Sequence, residues 1–215
     1  MNTTDEPRTR LLEAAGQVFA DKGFEGATVR EICKRAKLNI AAVNYYFRDK
    51  ERLYIETVKQ AACGLPETQR QAWPPNTPPA EKLRRFIRVM VDHLTDSNKP
   101  AWHTRMMMHE LANPTSACAE LVRDYIAPTA GVLMEILGEI LPPDMPRWKR
   151  FMTGFSIVSQ CLYYVQNRPI AKLLVGEEDF AAFTRDHIAE HVTQFSLAAL
   201  GLTMQPSTNG AATVR

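Results

Sequence analysis

The sequence predicts an all-α protein: a small three-helix head with a helix-turn-helix, followed by a larger helical domain. Three observations carry that expectation. No run alternates apolar and polar residues with period two, whereas apolar residues recur at i, i+3, i+4 and i+7 along most of the chain. Helix-capping residues punctuate the first 60 positions at short intervals. A stretch with five prolines, GLPETQRQAWPPNTPP at 64–79, separates that block from the rest. The expected division is a head at 1–63, a linker at 64–79, a helical body at 80–202 and a disordered tail at 203–215.

The first helix is expected over 5–22. Thr4 can cap it, Asp5 and Glu6 suit the positive end of its dipole, and Pro7 is tolerated in a first turn. Leu11, Ala15 and Val18, flanked by Leu12 and Phe19, form its buried stripe, and Gly23 supplies a left-handed stop. Thr28-Val29-Arg30-Glu31 is a capping box that opens a second helix ending near Ala36, with Glu31 reaching back to the cap. Lys37-Leu38-Asn39 makes a three-residue turn, and Asn39 caps a short helix from Ile40 to Phe47. There Ile40, Val43 and Phe47 face inward, leaving Ala41, Ala42, Asn44, Tyr45 and Arg48 outward. Asp49 caps a fourth helix from Lys50, with Leu53, Tyr54 and Val58 on its apolar side, stopping before Pro66. Beyond the linker, helices are expected at 80–96, 100–112, 115–140, 145–167 and 177–201. Pro128 should kink the third of these, and Pro142-Pro143 should end it.

Composition excludes several classes. With 45% hydrophobic and 23% charged residues, the 215-residue chain is neither broadly disordered nor fibrous. No run of about 18 apolar residues exists to span a bilayer, and the polar start MNTTDEPRTR lacks the apolar core of a secretory leader, so the expected location is cytoplasmic. Cys33, Cys63, Cys118 and Cys161 match no metal-ligand or disulfide spacing and are expected to be idle thiols, with no metal or cofactor. The net charge is only +2, but residues 28–60 carry 8 Lys and Arg against 4 Asp and Glu. A basic module on a neutral body suits a polyanion partner.

Two short helices joined by a three-residue turn form a helix-turn-helix, whose second helix can enter a DNA major groove. The outward face of 40–47 fits that role. Ala41 and Ala42 permit close approach and can touch a thymine methyl, while Asn44 offers the paired donor and acceptor that match adenine. Tyr45, Tyr46 and Lys50 are placed to reach phosphates. Arg30 and Asn39 complete the candidate DNA-binding set.

The same residues carry a resemblance. Leu11-Leu12-Glu13-Ala14-Ala15, Phe19-Ala20-Asp21-Lys22-Gly23-Phe24, Ala27-Thr28-Val29-Arg30-Glu31-Ile32 and Ala41-Ala42-Val43-Asn44-Tyr45-Tyr46-Phe47-Arg48-Asp49-Lys50-Glu51-Arg52-Leu53-Tyr54 resemble the DNA-binding domain of TetR/AcrR-type transcriptional regulators, over residues 8–62. The resemblance implies an all-helical homodimer that binds a palindromic operator in double-stranded DNA and responds to a small-molecule effector through its C-terminal domain. It also implies phosphate anchoring by Thr28, Tyr45, Tyr46 and Lys50, with base reading by Ala41–Asn44. Asn44 departs from the tyrosine more common there. The segments RMMMHELANPTSA (105–117) and SIVSQCLYYVQNRP (156–169) are similar to the C-terminal domain of the CecR-type subgroup.

Rival readings are a zinc-dependent hydrolase and a purely architectural DNA-binding protein. His187-Ile188-Ala189-Glu190-His191 matches the H-x-x-E-H pattern of inverted zinc peptidases, but no acidic third ligand follows it in a structured segment. Both histidines flank Ile188, Val192 and Phe195, the expected buried stripe of the last helix. An architectural protein needs a far more basic surface than +2. Self-association is expected through 145–167 and 177–201, which offer Phe151, Phe155, Val158, Leu162, Ile188, Val192 and Phe195. The expected effector site joins Trp102, Met106, His109 and Glu110 with Phe155, Gln160 and Tyr164, as a pliable apolar wall with a few polar groups.

Overall fold

The structure is a computed structural model that describes residues 5–62 and 73–202. Thr4, Cys63, most of the expected linker and the expected tail lie outside the described residues. Every regular element described is helical. In chain order they are α1 (Asp5–Gly26), α2 (Val29–Ala36), α3 (Ala41–Phe47), α4 (Lys50–Ala62), α5 (Pro79–Leu94), α6 (Ala101–Ala112), α7 (Ala117–Leu121), a π-helical turn (Val122–Ile126), α8 (Ala127–Ile140), α9 (Arg147–Gln166), α10 (Arg168–Val175), α11 (Glu177–Ala181) and α12 (Arg185–Ala199).

The chain forms two compact units. One takes in the described residues of 1–70 together with 96–130; the other takes in those of 71–95 and 131–215. This partition differs from the one expected at 64–79, because residues 96–130 pack with the head. The reason is visible in the head's core. Leu11, Ala15, Val18 and Phe19 of α1 meet Ile32, Val43, Phe47, Leu53 and Val58 from α2, α3 and α4, and α6 adds Trp102 and Met106 to the same cluster. Gly16 makes that docking possible: a Cβ there would stand 2.4 Å from the Trp102 ring. The indole Nε1–H donates to Glu13 Oε1 at 2.8 Å.

In the second unit, α5 (Leu83, Phe86, Ile87) packs with α8 (Leu133, Ile136, Leu137), α9 (Ile157, Cys161) and α12 (Ile188, Val192, Leu197). Ion pairs edge it, with Arg84 to Glu190 at 2.6 Å, Lys82 to Glu139 at 2.7 Å, and Arg88 on Asp186. Burial pushes the Cys161 thiol up to about 12.

Several elements differ from expectation. Helix α1 continues to Gly26, with non-helical backbone at Gly23 (φ 69°, ψ −179°) rather than a final stop there. The expected helix at 115–140 is three pieces. Pro128 has no N–H to serve the Asp124 carbonyl, and the backbone ahead of it widens into a π turn in which the Ala127 N–H reaches Val122 O. Helix α10 was not anticipated. The expected helix at 177–201 is broken, and Thr184 starts α12 by accepting the His187 N–H at 3.2 Å. Ile40 and Phe195, expected inside, are exposed.

Candidate nucleic-acid interface

Local chemistry shapes the helix-turn-helix. Thr28 Oγ1 accepts the Glu31 N–H at 3.2 Å and so caps α2. Glu31 does not reach back to complete the box: its carboxylate is held by Lys22 Nζ at 2.7 and 2.8 Å. At the other end Lys37 turns left-handed (φ 54°), and the Leu38 N–H reaches Cys33 O at 3.0 Å. This is the Schellman closure, with half-buried Leu38 packing onto the head's core as its apolar contact. Asn39 Oδ1 then accepts the Ala41 N–H at 3.1 Å, and Asp49 Oδ1 accepts the Arg52 N–H at 2.7 Å to open α4.

Between these caps α3 buries Val43 and Phe47 and turns Ala41, Asn44 and Tyr45 outward, with Tyr45 77% exposed. Ala42 and Tyr46 are half-buried and pack against the core. The Tyr45 and Tyr46 rings meet edge to face at 4.8 Å. Lys50 Nζ lies 4.5 Å from the centroid of Phe24, itself part of an aromatic cluster with Phe19 and Tyr54. Thr28, Arg30 and Asn39 are exposed. The residues expected to bind DNA therefore lie together on α2 and its cap, α3, the turn between them and the start of α4, over a packed core.

The expected effector residues are divided between the two units. Trp102, Met106 and Glu110 belong to the head's unit and are all buried. Glu110 is fully buried, and instead of meeting His109 or a cation it accepts the Tyr54 hydroxyl at 2.8 Å and the Thr115 N–H at 2.9 Å. Burial first, then the hydrogen bond to Glu110, pushes the Tyr54 phenol upward. His109 is half-buried beside Gly23, where a Cβ would stand 3.1 Å from its ring. Phe155, Gln160 and Tyr164 belong to the second unit, where Phe155 is 63% exposed and Gln160 bonds the Ser156 carbonyl within its own helix. The head also carries an open groove of about 330 Å³ edged by Arg8, Leu12, Glu56, Lys59, Gln60 and Tyr125.

The hydrolase motif is dispersed. His187 Nδ1 lies 2.6 Å from the Ala182 carbonyl, Glu190 pairs with Arg84, and His191 sits between the Tyr164 and Phe195 rings. On α9 the expected stripe is rotated: Phe151, Val158 and Leu162 are half-buried, while Trp148, Met152 and Phe155 are exposed at i, i+4 and i+7. Trp148 and Met152 were not singled out from sequence, although that spacing is legible there.

Comparison with known proteins agrees with this geometry. Residues 11–57 match the family described as "Bacterial regulatory proteins, tetR family", and residues 79–200 match "HTH-type transcriptional dual regulator CecR, C-terminal domain". A probable HTH-type transcriptional regulator YttP of Bacillus subtilis is 26% identical over 61% of this chain and 63% of its own length, so the chain spans less than two thirds of that relative. The HTH-type transcriptional repressor NicS of Pseudomonas putida is 28% identical over 76% of this chain and 78% of that protein. In fold, the chain resembles AibR, whose crystal structure is a complex with isovaleryl coenzyme A and operator DNA. The TM-score is 0.63 at 17% identity, over 88% of this chain and 97% of AibR.

Proposed function

Because the chain belongs to the TetR family of bacterial regulatory proteins and carries a CecR-type C-terminal domain, we propose that it is a ligand-responsive transcriptional repressor. It acts in the cytoplasm, as a homodimer and without enzymatic activity. The observation that carries this reading is α3 itself: a short helix, fixed at both ends by caps, with Ala41, Asn44 and Tyr45 facing solvent over a packed core. In the major groove Asn44 pairs with adenine, and Ala41 and Ala42 lie against thymine methyls. Thr28, Arg30, Asn39, Tyr45, Tyr46 and Lys50 hold the flanking phosphates.

Residues 1–63 carry DNA binding in this reading, and residues 80–202 carry pairing and effector response. No described helix is long and apolar enough to cross a membrane. The exposed face of α9, with Trp148, Met152 and Phe155, and Phe195 on α12 supply the surface on which a second copy pairs. A small-molecule effector favours a dimer whose heads no longer match the half-site spacing, and so releases the operator. Trp102, Met106 and Glu110 are buried in the head's unit, and the effector response is proposed for the C-terminal domain that contains them.

Selection of duplexes from a random-sequence pool tests the reading. The expected product is a pseudo-palindrome with half-sites about one helical turn apart, bound with steep salt dependence and more weakly at all sequences by Lys50→Ala. Failure to enrich any duplex would remove the DNA-binding reading.

A further inference from the structure

We infer that Lys37 and Arg48 are DNA-phosphate contacts that grip the backbone at the two ends of α3, an inference that rests on the DNA-binding reading above. Three described non-glycine residues have positive φ: Lys37 (54°), Arg48 (74°) and Asn76 (65°). Asparagine tolerates that region; lysine and arginine enter it at a cost, because Cβ crowds the backbone. The two basic ones bracket α3.

Geometry explains the turns but not the side chains. At Lys37 the chain closes α2 through the Leu38 N–H to Cys33 O bond, a position that glycine fills most easily. At Arg48 (φ 74°, ψ −52°) the N–H closes α3 onto Asn44 O at 3.2 Å and hands the chain to Asp49, the cap of α4. Glycine would serve both turns at less strain.

Nor does the protein use these charges internally. Several cations of the head are engaged: Lys22 by Glu31 at 2.7 Å, Arg52 by Glu56 at 2.9 Å, Lys59 by Glu120 at 2.5 Å, and Arg35 by Gln17 at 2.7 Å. Arg10, Arg30 and Lys34, by contrast, are exposed without such a partner among the described residues. What sets Lys37 and Arg48 apart is their positive-φ backbone. The side chains of Lys37 and Arg48 are exposed and have no ion-pair or hydrogen-bond partner among the described residues. Two uncompensated cations thus stand at opposite ends of a helix about 10 Å long. The major groove is roughly 12 Å wide and its two walls are rows of phosphate. A helix seated in it brings the turns at its two ends close to those phosphates, where the two cations fix its register without reading a base.

The test is fluorescence anisotropy with a duplex that the full-length chain itself selects, titrated across NaCl concentrations. Lys37→Gly and Arg48→Gly suit the backbone, so both should fold with melting temperatures close to that of the parent. Each should bind several-fold more weakly, with unchanged base preference. The slope of log K against log [NaCl] should be shallower by about 1.8 for each substitution, one phosphate per protomer at about 0.9. Lys37→Arg and Arg48→Lys keep the charge and should restore the slope. Glycine variants with the parental slope overturn the inference and leave the DNA-binding reading intact. A parent chain that binds no duplex overturns the reading and the inference with it.

Discussion

Helices α6 and α9 each carry one tryptophan among methionine or other aromatic side chains, yet the chain uses them in opposite ways. On α6, Trp102 and Met106 are 2% and 0% exposed, sealed against α1 and α4. On α9, Trp148, Met152 and Phe155 remain 61%, 59% and 63% exposed in a single copy. The difference teaches that apolar periodicity says a face will be covered without saying by what. Glycine at position 16 clears space for the Trp102 ring, so α6 finds its cover within the chain. The outer stripe of α9 has no such seat among the described residues of its own unit, and exposed apolar patches of that kind mark association surfaces.

The largest effect that would break this contrast is Trp102→Ala. Removing a buried indole and its hydrogen bond to Glu13 should cost about 3–5 kcal/mol, measured by urea unfolding. A loss under about 1 kcal/mol would mean that α6 is not core. Tyr54→Phe is next: it takes one donor from the buried Glu110 carboxylate and should cost about 1–3 kcal/mol in the same assay. On the other side, Phe155→Asp should leave the folded protomer within about 0.5 kcal/mol of the parent, because the side chain is not in its core. The same substitution should produce monomers on light scattering, and persistent dimers would move the pairing face elsewhere.

A pH titration sharpens the comparison further, because α9 has no histidine. His103 on α6 is buried, and neither ring nitrogen has a hydrogen-bond partner among the described residues. Burial, more than Lys99, lowers its pKa below 6.5, against an opposing pull from Glu13. The unfolded chain therefore holds more protons than the folded one once pH drops below about 6.5, and this group's stabilisation is complete above that value and fades below it. His103→Leu should flatten that acid limb of the stability curve. An unchanged limb would assign it to other groups.

The head was the most legible part of the sequence. Thr28, Asn39 and Asp49 cap their helices as spacing alone implies, because a cap is a contact between near neighbours. Glu31 escaped that logic: it finds Lys22, nine positions away, a stronger partner than the cap's N–H. Longer-range facts were hidden for the same reason. Nothing local announces that α6 packs against the head, that Glu110 bonds Tyr54 across 56 positions, or that Pro128 relaxes into a π turn instead of a simple kink. The expected effector set draws on α6 and α9 because both read as amphipathic; that Trp102 is buried and Phe155 exposed is decided by packing, which spacing does not announce.

The central claim is that α3 reads bases through Asn44. The most direct measurement is the affinity of the parent and Asn44→Ala for the selected duplex and for every single-base-pair substitution of it. The account predicts that the variant loses about 1–3 kcal/mol of discrimination at one base pair in each half-site and keeps the parental preference at the others. Equal weakening on every duplex, with the preference at that base pair intact, would contradict it.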